Sequence, residues 1–192
     1  EIYTLSLHDA LPIFGRLTMS WFSRRGKAPD PAPDGAPPQP GPRARVAPIS
    51  QQRLRAALDR HGWHYRVDDD GDLTGRWDDD LITFMLRGED GEVLNVLGYM
   101  SEDLPMGRLD EVRYALEEWH RGHLWPTCFW RDNEDAGLTF SVGGAVAVDY
   151  EHGVTDEQLD LHLSCAISTI GSAMADVRNR LGMSSPDSDS KG

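Results

Sequence analysis

Two groups of side chains have types and spacings that could support chemistry. His162 and Cys165 stand three residues apart in a stretch with helical periodicity, which would place an imidazole beside a thiol that it could activate. Glu117, His120 and His123 also follow a three-residue spacing, and on a helix they would occupy adjacent turns, as metal ligands can. The first group would suit a thiol-based enzyme and the second a metal-dependent enzyme.

Both groups also have a structural interpretation, which we favour. Cys165 adjoins the apolar residues Ala166 and Ile167, where a free cysteine behaves as a small hydrophobic side chain. No HExxH motif is present. His123 follows Gly122, where the helix is expected to end and the helix dipole favours an imidazole. The sequence therefore predicts no catalytic residue, no metal ligand and no cofactor.

Two further segments resemble ligand-binding loops only in part. Asp68–Asp72 is acidic and contains a glycine, but an EF-hand aligned on Gly71 would have Arg66 and Trp77 at its first and twelfth positions, which are not calcium ligands. A hairpin turn is the favoured interpretation. Gly143-Gly144 lacks the Lys-Ser/Thr of a phosphate-binding loop and indicates a bulge or a close approach to the backbone.

These residues belong to a clear succession of predicted elements. Ser50 is placed to cap a first helix that ends at Gly62, and Thr155, with Gln158 in a capping box, begins a long last helix that reaches Leu181. A middle helix over 109–122 carries an apolar stripe. Alternating apolar residues predict strands around 63–67, 73–77, 81–86, 93–99, 128–131 and 138–150, with acidic turns that include 68–71 and 78–80.

This order predicts an α+β fold. We expect an antiparallel sheet of five to six strands with three helices on one face, in the order α-β-β-β(-β)-α-β-β-α. The α+β domain would span residues 49–182.

The candidate binding residues are aromatic or small. Phe129 and Trp130 are neighbours in a predicted strand, so both can be buried only if both faces of the sheet are covered. Ser168 and Gly171 belong to a strip of small residues on the last helix, against which the sheet or, less favoured, a second copy of the helix could pack. The predicted partner or dimer surface comprises Trp125, Phe129, Trp130, Ser164, Ser168 and Gly171.

The ends of the chain differ from the domain in composition. Glu1–Ile13 resembles the translation of a sequencing adapter, so we interpret residues 1–18 as a non-native leader and favour Met19 as the true start. Residues 19–48 form a basic, proline-rich arm that we expect to be disordered, and residues 183–192 form a polar tail with the same expectation.

Charge and composition restrict the partners. The chain carries a net charge of −13 although its arm is basic, and so acidic a domain would repel nucleic acid. An acidic rim would favour basic protein partners. Two cysteines do not form a disulfide framework, and no apolar run approaches a membrane span, so we expect a cytoplasmic protein.

The sequence also resembles a known family. The stretches WHYRVDDDGDLTGRW, LITFMLRG and WPTCFWRDNEDAGLTFSVGGAVAVDYEHGVTDEQLDLHL look like those of the YbjN-domain family, particularly its actinobacterial members. The resemblance covers about Ser50 to Leu181. It implies a fold like that of type III secretion chaperones, which bind extended polypeptide segments and are usually dimers, and it provides no catalytic residues.

Together these observations predict a non-catalytic protein-binding module, chaperone-like or regulatory, that acts as a homodimer on an unidentified protein or peptide. A small-ligand sensor is the alternative, followed by a metal- or thiol-dependent enzyme.

Overall fold

Three helices and a seven-stranded antiparallel sheet make up residues 45–133 and 137–183, the part of the chain that the computed structural model describes. The predicted leader, the arm up to residue 44 and the tail from residue 184 lie outside the described residues, as does part of the loop at 134–136.

The elements follow one another in nearly the predicted order. The helices are α1 (Gln51–Arg60), α2 (Leu109–Gly122) and α3 (Asp156–Arg180), and a 3-10 turn at Met106–Arg108 leads into α2. The strands are β1 (Arg66–Val67), β2 (Leu73–Trp77), β3 (Asp80–Arg87), β4 (Val93–Tyr99), β5 (Leu104–Pro105), β6 (Thr127–Asp132) and β7 (Thr139–Asp149).

The sheet is built from hairpins and one long-range pairing. Its strands lie in the order β1-β2-β3-β4-β7-β6, and the short β5 pairs with the start of β7. The β2–β3 hairpin is tight because Asp78 and Asp79 both adopt positive φ, at 48° and 68°, which suits the twist of a two-residue hairpin loop. The pairing of β4 with β7 spans Val93↔Asp149 to Tyr99↔Gly143 and joins the two halves of the domain.

Side-chain caps fix the starts of the first and last helices. The hydroxyl of Ser50 accepts a hydrogen bond from the backbone N–H of Arg53 at 3.3 Å. At α3, the hydroxyl of Thr155 accepts from the N–H of Gln158, and the Gln158 side chain accepts from the N–H of Thr155, both at 3.1 Å. Both caps confirm the sequence predictions, including the capping box.

The hydrophobic core lies between the helices and one face of the sheet. Fully buried side chains of the strands, such as Phe84 and Phe140, meet those of the helices, such as Leu58 and Leu163. At the centre, α3 approaches β4 so closely that a Cβ on Gly98 would collide with Ile170. The predicted α+β arrangement with three helices is therefore confirmed.

The structure differs from the predictions in three details. The sheet has seven strands because the two-residue β5, which has no periodicity of its own, also pairs. The strand expected from Trp63 begins only at Arg66, and Trp63 packs against Trp77 before it. Asp80 belongs to β3 rather than to the turn and is buried there. In the described residues, no helix is long and apolar enough to span a membrane.

Candidate functional site

One face of the sheet has no helix packed on it in the described part of the chain. In β3, Ile82 and Phe84 point toward the helices and are buried, whereas Leu81 and Met85 alternate with them and point away. Residues that pair directly across neighbouring strands point to the same side of the sheet, so the register extends both rows into β4, β7 and β6. We call this side of the sheet the open face. Its half-buried apolar side chains are Leu81, Met85, Val93, Leu97, Tyr99, Phe129 and Ala145.

Phe129 and Tyr99 form the aromatic part of the open face. Both pair in register with Gly143 of β7, which lies between them. A Cβ on Gly143 would stand 2.7 Å from the Phe129 ring, so only glycine lets this ring lie over β7. The two rings meet edge to face with centroids 5.6 Å apart. The prediction of a close backbone approach at Gly143-Gly144 is thus confirmed, and the ladder is regular there without a bulge.

A polar group interrupts the apolar centre of the open face. Asn95 lies in register between Met85 on β3 and Ala147 on β7. Its Oδ1 is buried and has no hydrogen-bond partner among the described residues. A buried acceptor without a donor is unfavourable by about 1–3 kcal/mol, and a binding partner is one source of the missing donor.

The other predicted aromatic residues lie on the opposite side of the sheet. Trp130 points toward the helices, where it meets Phe140 edge to face and the guanidinium of Arg113 lies 5.8 Å from its ring centroid. Trp125 is half-buried against the core. The structure therefore brings Phe129 to the open face and keeps Trp125 and Trp130 away from it.

The predicted strip of small residues borders a groove instead of packing against the sheet. A Cβ on Gly171 would meet no atom within 4 Å, and Ser168 is exposed. The groove has a volume of about 360 Å³ and lies between α3 and the β2–β3 hairpin. We call it the α3 groove; its lining includes Trp77, Asp78, Ile82, Ile167, Ser168, Gly171 and Ala175. The expectation that the sheet covers this strip is wrong, because α3 turns Ile170 and Met174 toward the sheet instead.

Trp77 forms one wall of the α3 groove because Gly75 leaves room for it. A Cβ on Gly75 would stand 2.6 Å from the Trp77 ring and 2.6 Å from the carbonyl oxygen of His64. The indole also meets Trp63 and Phe84 edge to face, with centroids 6.0 and 5.7 Å away. These contacts hold the wall in one position.

His120 protects the outer edge of β6. Its Nε2 accepts a hydrogen bond of 2.8 Å from the backbone N–H of Cys128, which points away from β7. A second groove of about 390 Å³ follows this edge, and its lining includes Arg113, Glu117, His120 and Trp130. His120 acts here as a structural acceptor, which satisfies a backbone donor that an edge strand leaves unpaired.

The candidate metal ligands of α2 do not converge. His120 bonds to β6, while the ring of His123 stacks on Trp119 at 3.7 Å and its Nδ1 lies 3.0 Å from the Trp119 carbonyl oxygen. Glu117 faces Arg121. Within residues 45–133 and 137–183, no group of three His, Cys, Asp or Glu side chains could hold a metal ion.

The two cysteines form no disulfide, and neither thiol is hydrogen-bonded to an imidazole among the described residues. Burial raises the pKa of Cys128 to about 12, with a smaller contribution from Asp176, so its thiol is protonated at neutral pH. His162 uses its Nδ1 for a hydrogen bond with the Tyr150 hydroxyl, whose own pKa burial raises to about 12. No hydrogen bond joins His162 to Cys165 in the described structure.

The acidic run at 68–72 is a self-contained turn. The carboxylate of Asp68 accepts hydrogen bonds from the N–H groups of Asp70 and Asp72 at 3.1 and 2.9 Å. Asp72 is paired with Arg87 at 2.6 Å. These carboxylates bind their own chain, as the turn interpretation predicts.

An ion-pair network that the sequence patterns do not reveal joins α3 to the sheet. Arg178 is 4% exposed and donates to Asp80 and, at 2.7 Å, to Glu102. Burial lowers the pKa of Arg178, but the hydrogen bonds to both carboxylates outweigh burial and raise it overall. Asp80 also lines the α3 groove. In the sequence, the one feature that indicates this network is the position of Asp80 directly before the apolar strand that begins at Leu81.

Comparisons with known proteins give a family match and a similar fold. Residues 50–177 match the YbjN family, described as "Putative bacterial sensory transduction regulator". No curated protein matches the chain.

Among solved structures, the crystal structure of YbjN from E. coli, described as "a putative transcription regulator", is similar with a TM-score of 0.62 and 15% identity. The match covers 71% of this chain and 96% of that one. An uncharacterized protein from Methanothermobacter thermautotrophicus matches over 69% of this chain and 99% of its own, with a TM-score of 0.45 and 13% identity. At these identities the likeness to YbjN from E. coli shows the fold alone.

Proposed function

The chain belongs to the YbjN family, and we propose that it is a regulatory, non-catalytic module that binds a protein partner through the open face of its sheet. The supporting observation is the uncovered apolar side of the sheet, which carries Leu97, Tyr99 and Phe129 at its centre. Half-buried apolar side chains grouped on an uncovered face can form the centre of an interaction site.

The polar side chains support a binding role more than a catalytic one. The candidate nucleophile Cys165 has no hydrogen bond to His162 in the described structure, and the other thiol, Cys128, is buried and protonated. His120 and His162 are each held by a structural hydrogen bond. Catalysis would require an activated nucleophile, or a general base directed into a cleft. We include a cytoplasmic location in the proposal because both cysteines are unpaired, which is usual in reducing compartments.

We further propose that the module acts as a homodimer through the α3 groove. Ser168 and Ala175 are exposed and Gly171 has open space in front of it, so a helix of a second copy could approach the α3 backbone closely. Trp77 and Ile167 would supply apolar contact beside this strip.

A small-ligand sensor is the second candidate function. The α3 groove combines an indole wall with the carboxylates of Asp78 and Asp80, and its 360 Å³ falls within the usual range of ligand sites, about 300–1,000 Å³. Native mass spectrometry of the purified full chain tests this alternative. A bound small molecule of stoichiometric amount would favour the sensor, and a bare polypeptide mass would count against it.

Comparative capture with the full chain tests the binding function. We expect the wild-type chain to capture at least one protein of the source cell. The Leu97→Lys variant, which places a cation at the centre of the open face, should fail to capture that protein. Leu161→Lys is the matched control, because Leu161 is equally apolar and 53% exposed on α3, away from the open face.

Quantitative mass spectrometry of the captured proteins, with circular dichroism to confirm folding, gives the readout. Identical sets of captured proteins for wild type and both folded variants would reject the open face as the binding surface.

A further inference from the structure

We propose that His120 is a proton-sensitive latch between α2 and the outer edge of β6, a role that goes beyond binding through the open face. The supporting observation is the hydrogen bond of 2.8 Å in which the Nε2 of His120 accepts from the backbone N–H of Cys128. A ring nitrogen accepts a hydrogen bond only through its lone pair, so this ring is neutral and carries its proton on Nδ1. Protonation of Nε2 removes the lone pair and therefore breaks the bond.

The strand register shows that β7 cannot replace His120 as the partner of this N–H. Successive residues of an antiparallel edge strand direct their backbone groups alternately toward and away from the neighbouring strand. Asn133, directly after β6, donates to the carbonyl oxygen of Thr139 at 3.1 Å, so the odd-numbered residues of β6 bond to β7. Cys128 and Trp130 therefore direct their N–H groups outward. Within the described chain, the bond to His120 is the one hydrogen bond that the Cys128 N–H makes.

A protonated His120 has different partners on its own helix. His120 lies in the last turn of α2, where the helix dipole attracts a cation. Glu117 lies one turn earlier, and both side chains line the groove of about 390 Å³ beside β6. Glu117 is 62% exposed and lies 3.4 Å from Arg121, and an ion pair so exposed is weak and easily exchanged. The side chain of His120 thus has two arrangements: the neutral ring bonds to β6, and the imidazolium turns toward Glu117.

The other charged groups near His120 keep their charge while a histidine titrates. They are Arg113, Glu117 and Arg121 on α2, Arg131 and Asp132 on β6, and Asp176 on α3. Carboxylates and guanidinium groups titrate outside the range of about pH 5 to 8 in which a histidine side chain changes its charge. The thiol of Cys128 also stays protonated there, because burial raises its pKa to about 12. Between these pH values, the state of the latch therefore depends on the imidazole.

The latch changes the polar groups that the edge of β6 presents to the groove. With a neutral ring, His120 occupies the outward N–H of Cys128. After protonation, His120 adds a positive charge to the lining of the groove, and the N–H of Cys128 joins that of Trp130 on an open strand edge. The edge of β6 is thus protected at neutral pH and exposed at mildly acidic pH.

Nuclear magnetic resonance of the isotope-labelled full chain between about pH 5.5 and 8 tests the latch. This range stays above the sequence pI of about 4.8, where loss of net charge would promote association. At the upper end, long-range proton–nitrogen spectra should show the His120 ring protonated on Nδ1. As pH falls, the Cys128 amide proton should shift upfield with the same midpoint as the His120 ring. Its exchange with water, relative to the intrinsic rate, should accelerate about two- to tenfold.

Two substitutions and a matched control assign the effect to His120, with circular dichroism to confirm folding. His120→Ala removes the acceptor, so the Cys128 amide should exchange rapidly and stop titrating. His120→Gln supplies a carbonyl oxygen that does not titrate, so the amide proton should become insensitive to pH. His123→Gln is the control, because the Nδ1 of His123 lies 3.0 Å from the Trp119 carbonyl oxygen and donates to it in either charge state. This variant should keep the wild-type titration at Cys128.

Three results would overturn the latch. The first is a neutral His120 ring that carries its proton on Nε2, and the second is a Cys128 amide signal that stays fixed while the His120 ring titrates. Both are measured on the wild-type chain, so they remain decisive if a variant fails to fold. The third is a titration of the Cys128 amide that persists in folded His120→Ala. None of these results bears on capture by the open face, so failure of the latch is distinguishable from failure of the proposed function.

Discussion

The same residue type has opposite roles at Gly98 and Gly171, as the space in front of each shows. On β4, a Cβ at Gly98 would collide with Ile170 of α3, so glycine is required for the central contact between helix and sheet. On α3, a Cβ at Gly171 would meet nothing within 4 Å in the described chain, so within one copy glycine there only weakens the helix. Within one copy, the first position is constrained by packing and the second is not.

We therefore expect the two alanine variants to shift stability in opposite directions. Gly171→Ala should raise the free energy of unfolding by about 0.5–1 kcal/mol, because alanine favours the helix. Gly98→Ala should lower it by about 1–3 kcal/mol, because Ile170 must move. Urea unfolding followed by circular dichroism measures both. A stabilised Gly98→Ala would show that α3 does not approach β4 as closely as described.

The two thiols should differ in reactivity. Because burial raises the pKa of Cys128 to about 12, this thiol should not react with Ellman's reagent at pH 8 in the native protein. Half-buried Cys165 should account for the native reaction, so Cys165→Ala should remove it and Cys128→Ala should leave it intact. Fast labelling that disappears with Cys128→Ala would contradict the burial of this residue.

Among the elements, α3 is attached to the sheet by charge as well as by its apolar stripe. The guanidinium of Arg178 joins Asp80 at the start of β3 to Glu102 in the loop after β4. An unpaired buried charge is costly, so Arg178→Met should destabilise the protein by about 3–5 kcal/mol through the stranded Asp80. Chemical denaturation measures this change. A loss under 1 kcal/mol would mean that Asp80 is readily hydrated without its partner.

The same network should make stability depend on acid pH. The hydrogen bond from Arg178 lowers the pKa of Glu102 below its ordinary value of 4.5. A carboxylate with a lowered folded pKa stabilises the fold above its unfolded pKa, and this contribution is lost as pH falls through the folded value. Glu102→Gln should therefore cost about 1 kcal/mol or less at pH 7 and should flatten the decline in stability below pH 4.5. An unchanged acid profile would remove Glu102 from this role.

Sequence patterns predict local elements of this fold better than the surfaces between them. Ser50 and Thr155 reveal their helices because a cap acts on residues within one turn. The alternation of Leu81–Leu86 reveals a strand. Which of its two sets of alternating residues points toward the helices depends on strands that are distant in sequence. For the same reason, the pairing of β4 with β7 and the two-residue β5 were not predictable.

The candidate site illustrates that limit. Phe129 was predicted for a binding surface and lies on the open face, yet Trp130 beside it points to the core. Ser168 and Gly171 were predicted as one surface with them but lie on α3 at a separate groove. Sequence patterns do not predict that Arg76 and Arg131 lie on the same face of the sheet, because this common face exists only after five strands have paired.

At the scale of the whole molecule, the proposed dimer makes a prediction about mass. Multi-angle light scattering of the full chain at micromolar concentration should give twice the 21.4 kDa of the monomer. Ser168→Lys, which places a long cation in the α3 groove, should shift the mass toward the monomer, whereas Leu161→Lys elsewhere on α3 should not. A single 21.4 kDa species at all concentrations would reject the homodimer.

The two borders of the sheet have a consequence for solubility. On one side β1 contributes only two residues, and on the other the imidazole of His120 occupies a backbone N–H that a foreign strand would need. A sheet blunted at both margins resists growth into fibrils by templated addition of further chains. Protected edges would let the proposed binding face stay uncovered without promoting edge-to-edge association of sheets.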